Sequence, residues 1–300
     1  MDKPTIPFTR KIRHSVEYMF LRMLFVLFGA LSLDRASALG GFLGAKVGPI
    51  LPITRRAIVN LRMAFPDWSD ADTKTTVRRM WEHLGRIVAE YPHLSEFDCC
   101  GPDRRIEVIG TQYLDQLRDD GIAGIFISCH AGNWELHSLV AASRGLPLVN
   151  VYRAPNNPHV EKLIQRFRDS LGATHYPKGV RAARALLEAI KRGDHLGILA
   201  DQKYNEGIPI KFFGQEAMTT PVPAELAIRF RIPLVPARVE RLNGAHFRLT
   251  IFPPLTLPDS GDKESDARVL TGRASALFEA WIRERPEQWL WLHRRWPGKF

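Results

Sequence analysis

Beyond Gly101-Pro102 the chain changes from helical periodicity to short apolar runs separated by amphipathic segments, and this change constrains the fold most tightly. Ile122–Ser128, Leu146–Tyr152, His195–Ala200, Leu234–Val239 and Phe247–Phe252 are short, continuous and apolar, and they read as buried strands. Helical patterns lie between several of them, near Trp134–Ser143, Val160–Leu171, Val180–Arg192 and Pro221–Phe230. Strands alternating with helices predict an α/β fold, with a single largely parallel or mixed sheet flanked by helices.

The part before Gly101 is helical in pattern. Residues Thr54 to Leu94 carry helical spacing interrupted at Pro66-Asp67, with Ser69 or Asp70 as the N-cap of the second helix. Upstream, Lys3, Arg10, Lys11 and Arg13 precede an apolar stretch from Met23 to Leu33. That stretch falls short of the roughly 20 apolar residues needed to span a bilayer. It also lacks a persuasive signal-peptide cleavage site. A second apolar stretch, Ala36 to Leu51, carries Gly40, Gly44 and Gly48 at four-residue spacing, which lets helices approach closely in lipid or in protein. The expected organisation is a membrane-associated helical region over residues 1–52, lying in the interface, followed by an α/β domain over residues 53–300.

Charge narrows the partners. With 42 Lys+Arg against 32 Asp+Glu the chain carries +10, which favours nucleic acid, an anionic membrane face or an acidic carrier protein. There is no helix-turn-helix, finger, RRM or KH signature, so nucleic acid is not expected. The three cysteines form no disulfide framework. No CxxC pair, HExxH helix or Cys/His cluster is present either, so no metal is expected.

The run Ile125-Phe126-Ile127-Ser128-Cys129-His130-Ala131-Gly132-Asn133-Trp134-Glu135 carries the chemistry. An apolar strand ends, a glycine-containing turn follows and a helix begins, at the sheet edge where open α/β folds bind ligands. This places His130 in the turn and Glu135 in the first helical turn. Glu135 is expected to hold His130 in the tautomer whose other nitrogen serves as general base. The helix N-terminus offers N–H groups to a developing oxyanion. Cys129 and Ser128 are rival nucleophiles, but both sit at the end of a buried strand, where packing is the ordinary role. His137 falls on another helical face and is not expected to be a ligand.

His130-Ala131-Gly132-Asn133-Trp134-Glu135 resembles the HxxxxE motif of the late, or secondary, acyltransferases of lipid A biosynthesis. Asn60-Leu61 with Phe65-Pro66 looks like that family's NL…FP segment. Tyr152-Arg153, Asn157-Pro158, Arg168 and Gly172 look like its YR…NP…R…G stretch. Asp201-Gln202, Phe212-Phe213-Gly214 and Thr219-Thr220 look like its D…FFG…T segment, and Pro286 to Trp296 looks like its C-terminal signature. Ala131 and the run Thr219 to Pro223 depart from the commoner pattern.

The resemblance implies an enzyme on the cytoplasmic face of the bacterial inner membrane, without a cofactor. It would take an acyl chain from acyl carrier protein and place it on the hydroxyl of a 3-hydroxyacyl chain of a lipid A precursor. His130 and Glu135 would be catalytic, and Asn133, Arg153, Arg168 and Asp201 would bind substrate. Arg153 and Arg168 suit phosphate, whereas Arg166 reads as part of a solvated helix face. Trp289, Trp291 and Trp296, with Arg294-Arg295, read either as interfacial anchors or as core tryptophans beside solvated arginines. Two other readings remain: a related acyltransferase acting on another glycolipid or phospholipid, and a non-catalytic basic membrane- or nucleic-acid-binding protein.

Overall fold

The computed structural model describes residues 8–296, so Lys3 lies outside it. Four helices come first: α1 (Phe8–Gly29), α2 (Leu33–Val47), α3 (Thr54–Ala64) and α4 (Asp70–Glu90). The start of α4 is a capping box. Ser69 Oγ accepts the Asp72 N–H at 3.1 Å, and the Asp72 carboxylate accepts the Ser69 N–H at 3.3 Å.

Glycines decide how α2 meets α4. A Cβ on Gly44 would stand 2.2 Å from the Trp81 carbonyl oxygen, and one on Gly85 would stand 2.2 Å from that of Gly40. The two backbones touch because neither helix has a side chain at the crossing. The four-residue glycine spacing therefore serves a contact inside the protein.

The outer face of α1 is apolar. Ile12, Val16, Met19, Phe20, Met23, Val26 and Leu27 follow helical spacing and are all exposed, while Phe25 and Phe28 face inward. Leu39, Phe42, Leu43 and Val47 of α2, then Ile50, Leu51 and Ile53, extend the exposed surface. Among the described residues no single helix is long and apolar enough to cross a membrane. The bent pair Leu33–Ile50 and Thr54–Ala64 reaches that length and composition only across an 86° break.

The rest of the chain alternates. In order come β1 (Ile106–Ile109), α5 (Thr111–Asp119), β2 (Ile125–Ser128), α6 (Leu136–Ser143), β3 (Leu148–Tyr152), α7 (Pro158–Arg168), β4 (Thr174–Pro177), α8 (Val180–Arg192) and β5 (His195–Leu199). A hairpin of β6 (Ile208–Phe212) and β7 (Gln215–Thr219) follows. The chain then runs through α9 (Val222–Phe230), β8 (Leu234–Asn243), β9 (His246–Ile251) and α10 (Lys263–Glu284). Seven strands form one mixed sheet in the order β1-β9-β8-β2-β5-β3-β4, with β8–β9 antiparallel and the other neighbours parallel.

Strand alternation sorts the helices into layers. Phe126 points into a core with Leu136 and Val140 of α6, whereas Ile125 and Ile127 point into another with α8, α9 and α10. α1 lies on the α6–α7 side, where Phe25 meets Phe167 edge-on at 5.2 Å. The edge strand β4 carries no apolar run, which is why the sequence reading has no strand there. Its burial is only partial.

The C-terminal segment returns to the middle of the sheet. Trp289, Trp291 and Trp296 are buried in the core, and Trp296 Nε1 donates to the Phe212 carbonyl at 3.1 Å. Arg295 is buried too, donating to Met218 O at 3.0 Å and Thr219 Oγ1 at 2.7 Å, while Arg294 is exposed. The tryptophans are therefore core residues, and only Arg294 of the pair faces solvent.

Candidate active site

Register brings the site together. β2 and β5 are parallel neighbours with Ser128 opposite Leu199, and Ala200 N–H donates to Ser128 O at 3.0 Å. Two residues further on, past the C-terminal ends of both strands, His130 meets Asp201. His130 Nδ1 lies 2.7 Å from Asp201 Oδ1, and the His130 backbone N–H donates to Oδ2 at 2.9 Å. Trp289 Nε1 donates to the same Oδ2 at 2.7 Å, and Leu290 N–H donates to His130 O at 3.1 Å.

Asp201 is 1% exposed. Burial pushes its carboxyl up, but the charge of His130, with hydrogen bonds from its ring, its backbone and Trp289, brings it down to about 2. The ionised carboxylate accepts a hydrogen bond from Nδ1–H, which leaves the Nε2 lone pair as the ring's acceptor. Gln202 Nε2 stands 3.1 Å from it.

Glu135 does not hydrogen-bond to His130, contrary to the sequence expectation. It occupies the N-cap position of α6, one residue before the helix, and is 4% exposed. Its carboxylate accepts from Arg168 Nε at 2.9 Å, Arg168 Nη2 at 2.7 Å and Tyr91 Oη at 2.6 Å. Burial raises its carboxyl, but Arg168 and Tyr91 together hold it below the ordinary carboxylate range. The physical reason is topological. Asp201 occupies Nδ1 from the neighbouring strand, while Glu135 turns toward the end of α7, where Arg168 stands. Arg168 is thus engaged by Glu135, with its guanidinium 5.2 Å from the Tyr152 ring centroid.

Asn133 is engaged inside the protein, where it braces the turn. It is 1% exposed; its Nδ2 donates to Glu90 Oε2 at 3.0 Å, and its Oδ1 accepts the Glu135 N–H at 3.3 Å. Leu136 N–H donates to Asn133 O at 3.1 Å, so Asn133 already engages two N–H groups at the helix start that were expected to face an oxyanion. Beneath it, fully buried Glu90 pairs with Arg241 and accepts from Ser37. Arg241 Nε donates to His83 Nδ1 at 3.1 Å, so His83 Nε2 carries the proton and donates to Gly132 O, also at 3.1 Å. Burial, with Arg241 beside it, keeps His83 neutral. Gly132 has φ +57°, and a Cβ there would meet the Val239 carbonyl at 2.3 Å, so the turn needs glycine.

Other sequence candidates separate. Arg153 is exposed at the end of β3, and Arg166 is exposed on α7. His137 lies 3.0 Å from Trp134 O and 3.3 Å from Ala237 O, a structural role. Cys129 is buried, and burial together with Asp201 pushes its thiol well up, which disfavours thiolate. Among the described residues, the grouping of potential metal ligands is Asp98, Cys99 and Cys100, outside this site.

His293 and Gln202 fall within the sequence motifs, but residue type and spacing alone give them no role. The His293 ring centroid is 6.1 Å from that of His130. Burial first, then His130, Arg153 and Arg56, lowers the His293 imidazole to about 4 despite Asp201. Asn60 positions the segment by donating to Trp291 O at 2.7 Å and His293 O at 2.6 Å.

The fold and site define an α/β protein whose imidazole is poised by a buried carboxylate at the C-terminal edge of its sheet. The chain belongs to the bacterial lipid A biosynthesis acyltransferases, the family whose model matches residues 5–297. It is 25% identical over 249 residues to the lipid A biosynthesis lauroyltransferase of Escherichia coli K12, covering 79% of this chain and 76% of that one. It is 23% identical over 254 residues to the myristoyltransferase of the same strain, covering 82% and 76%. A phosphatidylinositol mannoside acyltransferase of Mycobacterium tuberculosis (CDC 1551 / Oshkosh) is 25% identical over 194 residues, covering 62% of this chain and 58% of that one.

Proposed function

We propose that this acyltransferase moves a fatty acyl chain from acyl carrier protein to the hydroxyl of a 3-hydroxyacyl chain on a lipid A precursor, with His130 as general base. The observation that carries the reading is the His130–Asp201 pair, which leaves Nε2 as an acceptor at the sheet's C-terminal edge. The substrate hydroxyl displaces the Gln202 amide and gives its proton to Nε2 as its oxygen attacks the thioester carbonyl. The tetrahedral oxyanion collapses, the C–S bond breaks, and the leaving thiolate takes the proton from His130. An ester and a free thiol result. A thioester is already activated, so no acyl-enzyme is needed, consistent with the buried, undissociated Cys129 thiol. The neutral imidazole of His293 supplies an N–H to the oxyanion. Glu135 acts through Arg168, as a charged pair that shapes the wall beside the base, and Arg153 receives a substrate phosphate.

The exposed apolar face of α1 and α2 supports attachment to a membrane surface, and the proposed carrier-dependent reaction would put that surface at the anionic cytoplasmic face of the bacterial inner membrane. The similarity to the mannoside acyltransferase favours, more weakly, another glycolipid as acceptor.

The test is purified protein incubated with acyl carrier protein thioesters and a panel of lipid A precursors and other glycolipids, read by mass spectrometry. His130→Ala should lower turnover roughly 10²–10⁴-fold, the contribution of a positioned base, while Cys129→Ala should retain most activity. A well-folded His130→Ala protein with near-normal transfer refutes the mechanism.

A further inference from the structure

The carrier protein invoked above must approach the C-terminal edge of the sheet, and that edge is not uniform. Lys178 follows β4 and its backbone N–H donates to Tyr152 O at 2.8 Å, tying it to the end of β3. Its Nζ lies 4.1 Å from the Tyr204 ring centroid, tying it to the loop after β5 that also carries Asp201, Gln202 and Lys203. The chain then enters α8, where Arg181 and Arg184 are three residues apart on one face. Lys178, Arg181, Arg184 and Lys203 are all exposed, and none forms an ion pair with a described carboxylate. Some exposed cations elsewhere are neutralised locally, as in Arg62–Asp70, Arg118 with Asp115 and Asp119, and Arg192–Asp194. Within the rim, Val180 is 73% exposed and offers an apolar contact.

We propose that this rim of Lys178, Arg181, Arg184 and Lys203 around Val180 is the docking surface for an acidic carrier protein, which presents its thioester to His130. The proposal rests on the carrier-dependent reading and adds the surface that reads the carrier. Four unpaired cations beside the site mouth complement an acidic partner, and such charges act mainly on encounter. A bilayer is a poorer match for this surface. The exposed apolar side chains that would enter lipid cluster on α1 and α2, with α1 packed on the α7 side of the sheet. α8 covers the opposite side, with Val180 as its exposed large apolar residue.

The experiment uses the full chain and the variant Lys178→Glu/Arg181→Glu/Arg184→Glu. One acyl chain is supplied either on acyl carrier protein or on pantetheine, and binding to anionic phosphatidylglycerol vesicles is measured in parallel. The expected result is a KM for the carrier thioester raised about tenfold or more, with kcat little changed and its salt dependence flattened. Pantetheine thioester kinetics and vesicle binding should match the parent protein. Lys203→Ala, tested alone, should shift KM in the same direction by less and keeps the proposal testable if the triple variant melts early. An unchanged carrier KM overturns the proposal. So does an equal loss with both donors, or lost vesicle binding with carrier kinetics intact, which would turn the rim toward the membrane. If the parent protein uses pantetheine thioester but no carrier thioester, the donor reading itself falls, and the rim with it.

Discussion

Asp201→Asn separates the base–carboxylate pair seen here from the Glu135 pairing expected from sequence. The outcome follows from the donors around the carboxylate. Oδ2 receives two N–H groups, from the His130 backbone at 2.9 Å and Trp289 Nε1 at 2.7 Å. In the asparagine variant the amide oxygen must therefore take the Oδ2 place, which turns the NH₂ group toward His130 Nδ1. Nδ1 then accepts, the ring proton moves to Nε2, and the atom that should receive the substrate proton becomes a donor. A magnitude follows from Asp201. Its interactions bring the carboxyl from 3.8 to about 2 against its own burial, which is about 2.5 kcal/mol, or roughly 60-fold. The amide oxygen keeps the backbone and Trp289 bonds, whereas burial masks part of the His130 interaction, so this figure sets the scale of the loss beneath a general-base ceiling of roughly 10⁴-fold. Turnover should fall by about 10²-fold or more with near-normal melting, and Nε2–H should appear in ¹⁵N NMR of labelled histidine. His130→Ala/Asp201→Asn should be little worse than His130→Ala, as residues acting as one unit are non-additive. Wild-type turnover in a folded Asp201→Asn protein, with Glu135→Gln inactive, refutes this reasoning and restores the Glu135 pairing.

Three further expectations concern the scaffold and its surface. Val16→Glu/Phe20→Glu, on the exposed stripe of α1, should weaken binding to anionic vesicles without shifting the melting temperature; unaltered binding refutes attachment through this face. Gly44→Val should destabilise by roughly 3 kcal/mol, since overpacking a tight contact typically costs about 1–3 kcal/mol and this one is against backbone; a melting temperature within a degree of the parent refutes the close crossing. Stability should fall as pH drops from about 6.5 toward 4, because His293, lowered to about 4, takes up a proton on unfolding in that window. The His293 contribution is about 3 kcal/mol, and His83, His137, His175 and His195 act in the same direction. His293→Gln should flatten this acid limb in denaturant titrations, and an unchanged slope counts against a neutral His293 in the folded protein.

The sequence by itself determined the layer architecture and the strand–turn–helix that holds the candidate site. Apolar runs of strand length alternating with amphipathic segments place β2, β3, β5, β8 and β9, because burial on a sheet face is a local demand on each residue type. The Ser69 cap and the strand–turn–helix around His130 were readable for the same reason: each is completed within a few residues. Only the tertiary structure decided who partners whom. Asp201 reaches His130 across 71 residues because β5 lies beside β2 in register. Arg168 reaches Glu135 from the far end of α7, and Glu90, Arg241 and His83 hold the turn from two other elements. The nearby Glu135 was the natural sequence choice because a short connection can close a pair unaided. A parallel sheet reverses that preference, since its crossover connections make residues distant in the chain immediate neighbours at the strand ends. The glycine stripe carries the same lesson: its spacing announces a close contact, but only the packing of Gly44 against Trp81 and Gly40 against Gly85 places that contact inside the protein.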